Sequence, residues 1–501
     1  MRGNTSVPRG RPSQPRSPDY SACLGKEKGS TLSATPMSPA TRPKLSGLGK
    51  LIAVAAATIG IIYGYDQGNM AGALLFIEKD MNLSDAGSGS LNSVLVAGNI
   101  VGALIAGKLS MAIGRKLTMV LVAIGYAIFA LWSALSGDIV TLDIARFFLG
   151  LTIGLSLVVA PIFIAESAPA QIRGSLVVGY QVATVTGILL GYLVDFGLSG
   201  SGNWELMLGL SAIPSVLVLF LLFRLPDTAR WYLMKGRAEE ARKTMMRADP
   251  GADVDAEIAA INKDMEAERG GGIGEMFRKP YLRATVFVLI LGFLVQITGI
   301  NAITYYSPKL FEQMGYHGNA STLGFPSIVQ GCALVATIIS LFIIDRFGRR
   351  PILMTGIGAM LVASVLMIVV FTTGDLQSGS TLGFIGIIVF TAGFNFGFGS
   401  LVWVYASESF PARLRSLGAT FMLTADLVAN FIVAQFFLPV LTDLGGAATF
   451  IIFGVLAAIS FVFVLAFAPE TKGKPLEQVR FFWQNGGRWP SEQELAGHVD
   501  K

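Results

Sequence analysis

The string Glu-Ser-x-Pro-Ala-x-x-Arg occurs twice, from Glu166 to Arg173 and from Glu408 to Arg415, an offset of 242 residues in a chain of 501. Two further pairs keep nearly the same offset. Pro226-Asp227-Thr228 answers Pro469-Glu470-Thr471, 243 residues on, and Gly114-Arg115-Lys116 answers Gly348-Arg349-Arg350, 234 residues on. Each copy stands where a long apolar run meets a charged loop. Twelve such runs begin near Leu51, Leu91, Leu117, Ile139, Leu176, Leu206, Ala284, Phe325, Ile352, Leu382, Leu417 and Ala447, six in each half. Each has the roughly 17–25 residues that a helix needs to cross a bilayer. The pattern implies an all-α polytopic membrane protein of two six-helix halves. That is the usual build of a secondary transporter, with its site between the halves near mid-membrane.

Composition agrees: 52% of the residues are hydrophobic and 14% charged, where a soluble domain carries about a quarter charged. The net charge of +5 does not indicate nucleic acid, because the charges are sorted by loop. Lys108, Arg115, Lys116, Arg173, Arg346, Arg349, Arg350, Arg413 and Arg415 fall in alternate short loops. The others hold Glu78, Asp80, Asp85, Asp138, Asp375 and Asp443, with Lys79 and Lys309 as their clear cations. Positive loops stay in the cytoplasm, so a multi-pass protein of the cell membrane with both termini cytoplasmic is expected.

Residues 1–49 are rich in Ser, Pro, Gly and Arg, lack apolar periodicity, and read as a disordered cytoplasmic tail. No cleavable signal is visible, since the first apolar run is a full-length span far from Met1. Residues 50–226 and 281–468 are read as the two halves, 227–280 as a cytoplasmic linker and 469–501 as a C-terminal cytoplasmic tail. Within the linker, Arg237–Arg247 and Val254–Met265 show helical spacing, and Gly270-Gly271-Gly272 ends it. Cys23 lies in the tail and Cys332 in the eighth span, which makes an intramolecular disulfide implausible.

From about Leu51 to Glu477 the chain resembles the sugar porter family of the major facilitator superfamily. The first half supplies Gly64-Tyr65-Asp66-Gln67-Gly68, Arg146-Phe-Phe-Leu-Gly150, Pro161-Ile-Phe163-Ile-Ala-Glu166, Arg173-Gly174 and Gln181. The second half supplies Gly299-Ile300-Asn301 with Tyr305-Tyr306, Asp345 through Arg350, Trp403 ahead of Ser407-Glu408, Asn430-Phe431 and Pro469 through Gly473. Departures matter as much. Met111 and Ala112 replace the acid and first Arg of the family's first-half loop, predicting a weaker gate there. Pro226-Asp-Thr-Ala-Arg230-Trp231 is a milder change. Val295-Gln296 stands for a Gln-Gln pair, Ala333 for an Asn, and Asp426-Leu427 for an Asn-Trp pair. The resemblance implies a sugar-like pocket that lacks the standard hexose set.

The loop charges carry a physical logic of their own. Glu166, Arg173, Glu408, Arg413 and Arg415 lie at basic helix ends beside Arg115, Arg349 and Arg350. Opposite charges pairing across the halves when the inner side is shut, and parting when it opens, would bias an alternating-access equilibrium. Topology alone explains the arginines but not the placed glutamates.

A sugar site needs amides and hydroxyls for the ring hydroxyls and an aromatic surface for the C–H face. Gln181, Gln296, Asn301 and Asn430 are uncharged polar residues on four spans, against the plainer reading of interhelical glue. Tyr305, Phe398 and Trp403 are candidate aromatic walls, with Phe163, Ile188, Val295 and Leu427 as apolar remainder. The glycine runs Gly60-Gly64-Gly68-Gly72, Gly150-Gly154 and Gly393-Gly397-Gly399 read as helix-packing faces.

Asp66, Arg146 and Asp426 are charged residues within spans. Asp66 lies about 22 Å from the cytoplasmic start of its span and Arg146 about 10 Å inside the outer end of its own, so the two share a depth. An Asp that meets and leaves an Arg is a proton-coupling device; a structural ion pair is the alternative. Proton-driven members of the family carry Asp and Arg at the matching positions. Asp426, about 16 Å into the eleventh span, is a second protonatable group or an acceptor for a substrate hydroxyl; a carboxyl kept protonated and bonded to a neighbouring helix is the plainer alternative.

The leading expectation is a proton-linked importer of a monosaccharide, acting as a monomer with sugar, proton and lipid bilayer as its partners and no cofactor. A facilitative uniporter, or a carrier of a polyol or sugar acid, is the alternative. A membrane sugar sensor comes last, for the segment after Pro469 is short. No enzyme is expected: the two histidines, His317 and His498, and the absence of metal or phosphate-loop motifs give it no chemistry.

Overall fold

The computed structural model describes residues 46–168, 173–251, 253–268, 272–373, 376–474 and 476–489, and among them the chain is all-helical. The expected tail before residue 46, and Gly270 and Gly271, lie outside the described residues. The first half comprises α1 (Gly47–Asp80), α2 (Asp85–Ile113), α3 (Arg115–Ala134), α4 (Ile139–Ser167) and α5 (Arg173–Leu198), and a sixth span split into α6 (Trp204–Leu210) and α7 (Ala212–Arg224). Four short helices follow, α8 (Ala229–Met234), α9 (Ala238–Ala248), α10 (Val254–Glu268) and α11 (Ile273–Met276). The second half comprises α12 (Leu282–Ile297), α13 (Ile300–Gln313), α14 (Asn319–Phe347), α15 (Arg349–Thr373), α16 (Leu376–Phe396), α17 (Phe398–Glu408) and α18 (Ala412–Phe467). Helix α18 turns at Gly445 (φ 81°) and so provides two spans. Among the described residues eleven stretches are long and apolar enough to cross a membrane, and with that division they make the twelve expected spans, six in each half. A last helix, α19 (Leu476–Gln484), packs Trp483 on Phe287.

The duplicated strings are two copies of one helix-starting device. Asp227 Oδ1 accepts from the backbone N–H of Arg115 (3.1 Å) and Lys116 (3.2 Å) at the start of α3. Glu470 does the same for Arg349 and Arg350 at the start of α15, both at 3.1 Å. Unpaired N–H groups at a helix start attract an anion, and here the chain supplies its own. Gly114 (φ 105°) and Gly348 (φ 98°) precede the two starts. A Cβ at Gly114 would fall 2.2 Å from Asp227, and one at Gly348 2.7 Å from Glu470. Burial pushes the Asp227 carboxyl above the usual range despite its backbone donors and the nearby Arg115.

The glycine runs let backbones touch. A Cβ at Gly64 would lie 1.9 Å from the Thr184 carbonyl oxygen on α5, and one at Gly68 2.2 Å from that of Ile188. Gly150 and Gly154 meet α2 at Leu95 and Asn99 in the same way, and Gly397 meets Gly356 of α15. Two spans of the second half are discontinuous. The seventh breaks at Thr298-Gly299, where Gly299 has φ 99°, and the tenth at Gly397. Broken spans expose backbone and side chains at mid-depth, where transporters hold substrates.

Candidate functional site

The helix ends carrying Arg115, Lys116, Arg349 and Arg350 form a basic face; those carrying Glu78, Asp80 and Asp138 form an acidic one. Between them Asp66 of α1 meets Arg146 of α4. Arg146 Nη1 donates to Asp66 Oδ1 at 2.7 Å and Nη2 to Oδ2 at 3.4 Å, with 2% and 5% of the two side chains exposed. The sequence depths had put them at one level. Arg146 Nε is sealed and has no partner.

A group of polar side chains lines the junction of the halves beside that pair. Gln296, at the end of α12, donates through Nε2 to Asp426 Oδ2 at 3.4 Å, while its Oε1 is buried without a partner. Asn430, one turn beyond Asp426 on α18, donates to the Tyr305 hydroxyl at 3.3 Å, and its Oδ1 is likewise unpartnered. Asn301 is buried at the start of α13 and Gln181 half-buried on α5; neither side chain makes a hydrogen bond among the described residues. Tyr305 stands within electrostatic reach of Asp66, Arg146 and Asp426 together, which ties the ion pair to the amide group. Sequence reasoning missed three further members. Tyr63 of α1 lies within reach of Tyr305, Asp426 and Tyr180, and its hydroxyl accepts from Gln67 at 2.8 Å. Gln67 sits in the Gly64–Gly68 motif, which was the available signal; a tyrosine in an apolar run gives none.

The aromatic candidates divide. Phe398 is fully buried beside Phe394, so its ring presents no open face in this conformation, whereas Trp403 is 40% exposed. Of the expected apolar remainder, Leu427 packs across the halves against Ala103, Ile188 packs with Ala71 and Tyr192, and Val295 and Phe163 are buried in the main core.

On the basic face the described ion pairs stay within the first half, lie within the linker, or join a half to the linker. Glu166 accepts from Arg115 Nε at 3.0 Å and from the Thr228 hydroxyl at 2.7 Å, and lies 3.8 Å from Arg230. Arg230 also meets Glu268 of α10 at 2.5 Å, and Arg413 pairs with Glu275 of α11. Glu408 Oε2 and Arg415 Nε are sealed without partners. The Arg173 side chain lies outside the described residues, and Arg349 has its backbone N–H on Glu470.

Towards the acidic face the halves grip one another. Lys309 of α13 meets Glu78 of α1 at 2.5 Å, the Tyr192 hydroxyl donates to the Thr304 carbonyl at 2.6 Å, and the Ser93 hydroxyl to Gln435 at 2.6 Å. The molecule is thus closed at the acidic end of its junction.

Comparison with known proteins follows from this architecture. A profile of the family described as "Sugar (and other) transporter" matches residues 52–483. The arabinose-proton symporter of Bacillus subtilis is 34% identical over 459 residues, covering 89% of this chain and 98% of that protein. The galactose-proton symporter of Escherichia coli is 33% identical, over 85% of this chain and 92% of that protein. Among solved structures, the partially occluded, inward-open xylose transporter XylE of Escherichia coli superposes with a TM-score of 0.75 at 25% identity, over 86% of this chain and 100% of that one.

Proposed function

We propose, for a chain that belongs to the sugar transporter family, that it imports a monosaccharide across the cell membrane together with a proton, by alternating access. One observation carries this reading. Amides with unpaired buried acceptors (Gln296 Oε1 and Asn430 Oδ1) share a neighbourhood, through Tyr305, with the buried Asp66–Arg146 pair. Unpaired buried acceptors call for donors, and a sugar is a ring of them. Two of the relatives are named as sugar-proton symporters, which supports the same substrates here.

Gln181, Gln296, Asn301, Tyr305 and Asn430 bind the hydroxyls and Trp403 offers an aromatic face, while Asp426 accepts from one hydroxyl. Arg146 pairs with Asp66 in this arrangement. When the two part, a lone carboxylate in a dry site takes a proton, and this links proton entry to the cycle.

The basic loops and both termini face the cytoplasm. With the acidic end closed, the molecule stands in its inward-facing arrangement. Residues 50–226 and 281–468 rock against each other, joined by the cytoplasmic linker 227–280. In the outward-facing state Arg115, Glu166, Arg173, Arg349, Glu408, Arg413 and Arg415 re-pair across the halves. The carrier acts as a monomer in the bilayer and binds no nucleic acid.

The test is uptake of a panel of labelled pentoses, hexoses and polyols into proteoliposomes, with and without an imposed pH gradient. Accumulation of a sugar only with the gradient is the expected result. Equal equilibration under both conditions would favour the uniporter, and polyol uptake alone the second substrate class.

A further inference from the structure

One carboxyl deep in the bundle has no part in the cycle above. Asp195 lies on α5, three residues before its end at Leu198, and is 1% exposed. Its Oδ2 accepts from the backbone N–H of Gly72 on α1 at 3.1 Å, and its Oδ1 is sealed with no partner. The place is built for it: a Cβ at Gly72 would fall 2.3 Å from Oδ2. No charged side chain acts on Asp195 among the described residues.

The titratable groups around it are few. From α1, Tyr65 stands within reach of Asp195 and of Asp66; from α5 itself comes Tyr192, one turn back, which in turn reaches Tyr305 of α13. Helix α14 packs on α5 through Gly324 against Phe196 and presents no ionisable group to Asp195. Holding an ionised carboxylate in such a place, on one amide donor and without a cation, is expensive. An asparagine would accept the same Gly72 hydrogen bond without that cost, so interhelical packing alone does not explain an acid here.

We propose that Asp195 is a second proton-binding group, lying between the outer water and Asp66; this rests on the proton-symport reading above. The Tyr192 hydroxyl, beside it, makes one of the contacts that close the acidic end, on Thr304. When that contact opens, outer water reaches Asp195, and an O–H bond of a hydronium ion breaks as one forms on Oδ1. Once Arg146 has left Asp66, the O–H bond on Asp195 breaks as one forms on Asp66, and Asp195 is again a carboxylate. Water admitted by the same opening bridges the transfer, taking up one proton as it gives up another.

The experiment compares the wild type with Asp195→Asn, which keeps an acceptor for Gly72 but binds no proton. Labelled L-arabinose and D-galactose serve as probes in proteoliposomes. The variant's pH-gradient-driven initial rate should fall roughly ten-fold or more, and its dependence on external pH should flatten, while sugar counterflow without net proton movement is retained. Wild-type rate and pH profile in the variant would overturn the proposal. So would an equal loss of driven uptake and counterflow, which would mark a structural role. A wild type indifferent to the pH gradient would overturn the symport reading itself, and this proposal with it.

Discussion

Burying an aspartate against an arginine is close to neutral for stability, because desolvation offsets much of their attraction. The 2.7 Å contact between Asp66 and Arg146 is therefore best tested through transport. Asp66→Asn should abolish accumulation driven by a pH gradient yet keep substrate binding and exchange; accumulation against a gradient by this variant would remove Asp66 from the coupling role. At the amides, losing one hydrogen bond to a neutral group costs about 1 kcal/mol, or roughly five-fold in affinity. Gln296→Ala, Asn301→Ala and Asn430→Ala should each weaken apparent affinity by that much or more at unchanged membrane abundance, measured by substrate competition. Unaltered affinity in all three would make them interhelical glue. Charged residues inside apolar runs were legible in the sequence because hydrocarbon penalises them so heavily. Asp195 is such a charge yet was not singled out from the sequence, and Tyr63 and Tyr180 gave no signal, since a tyrosine in a span is ordinary core until a neighbour turns its hydroxyl into a partner.

At the scale of elements, the four-residue glycine spacing on α1 announced a packing face, and α5 is what it packs on. Gly64→Ala places a methyl 1.9 Å from the Thr184 carbonyl oxygen, whereas a methyl at Gly107 of α2 meets nothing within 4 Å. Overpacking costs about 1–3 kcal/mol. Gly64→Ala should lower the melting temperature of the purified protein by several degrees and Gly107→Ala should not, as followed by tryptophan fluorescence. The Asp227 cap makes a second prediction. Its carboxyl titrates above the usual range when folded, so the folded state binds the proton more tightly than the unfolded one. That contribution is complete at acid pH and is lost as pH rises through the folded value. Asp227→Asn keeps an acceptor without the charge, and its stability relative to wild type should rise from pH 3.5 towards neutrality; a pH-independent difference would show that burial of this charge carries no penalty. The repeat marked Pro-Asp-Thr and Pro-Glu-Thr as equivalent, but not that each acid caps a helix more than a hundred residues away in sequence. That pairing needs the fold.

At the scale of the whole molecule, the acidic-end contacts hold one of two arrangements. Lys309–Glu78 joins the halves with 27% and 9% of the side chains exposed, and a partly exposed pair contributes on the order of 1 kcal/mol. Glu78→Gln should therefore shift the population several-fold towards the outward-open form. In a chain with Cys23 and Cys332 replaced by alanine, a cysteine at Ser93 should then be labelled from outside several-fold faster than with Glu78 intact; an unchanged rate would show that this pair is no latch. The sequence by itself determined the twelve spans, their two-fold repetition and the sorting of loop charge, because bilayer thickness and the cost of charge in hydrocarbon act on each segment alone. It also carried Asp66 and Arg146 to one depth, since depth is a property of a single helix. Tertiary structure alone decided that the seventh and tenth spans break at Gly299 and Gly397, that Gln296 meets Asp426 and Asn430 meets Tyr305, that Phe398 is sealed while Trp403 is open, and which end of the junction is shut. Each of these depends on how one helix is rotated against another, and that is set by close packing between segments far apart in the chain, which no pattern within a single span encodes.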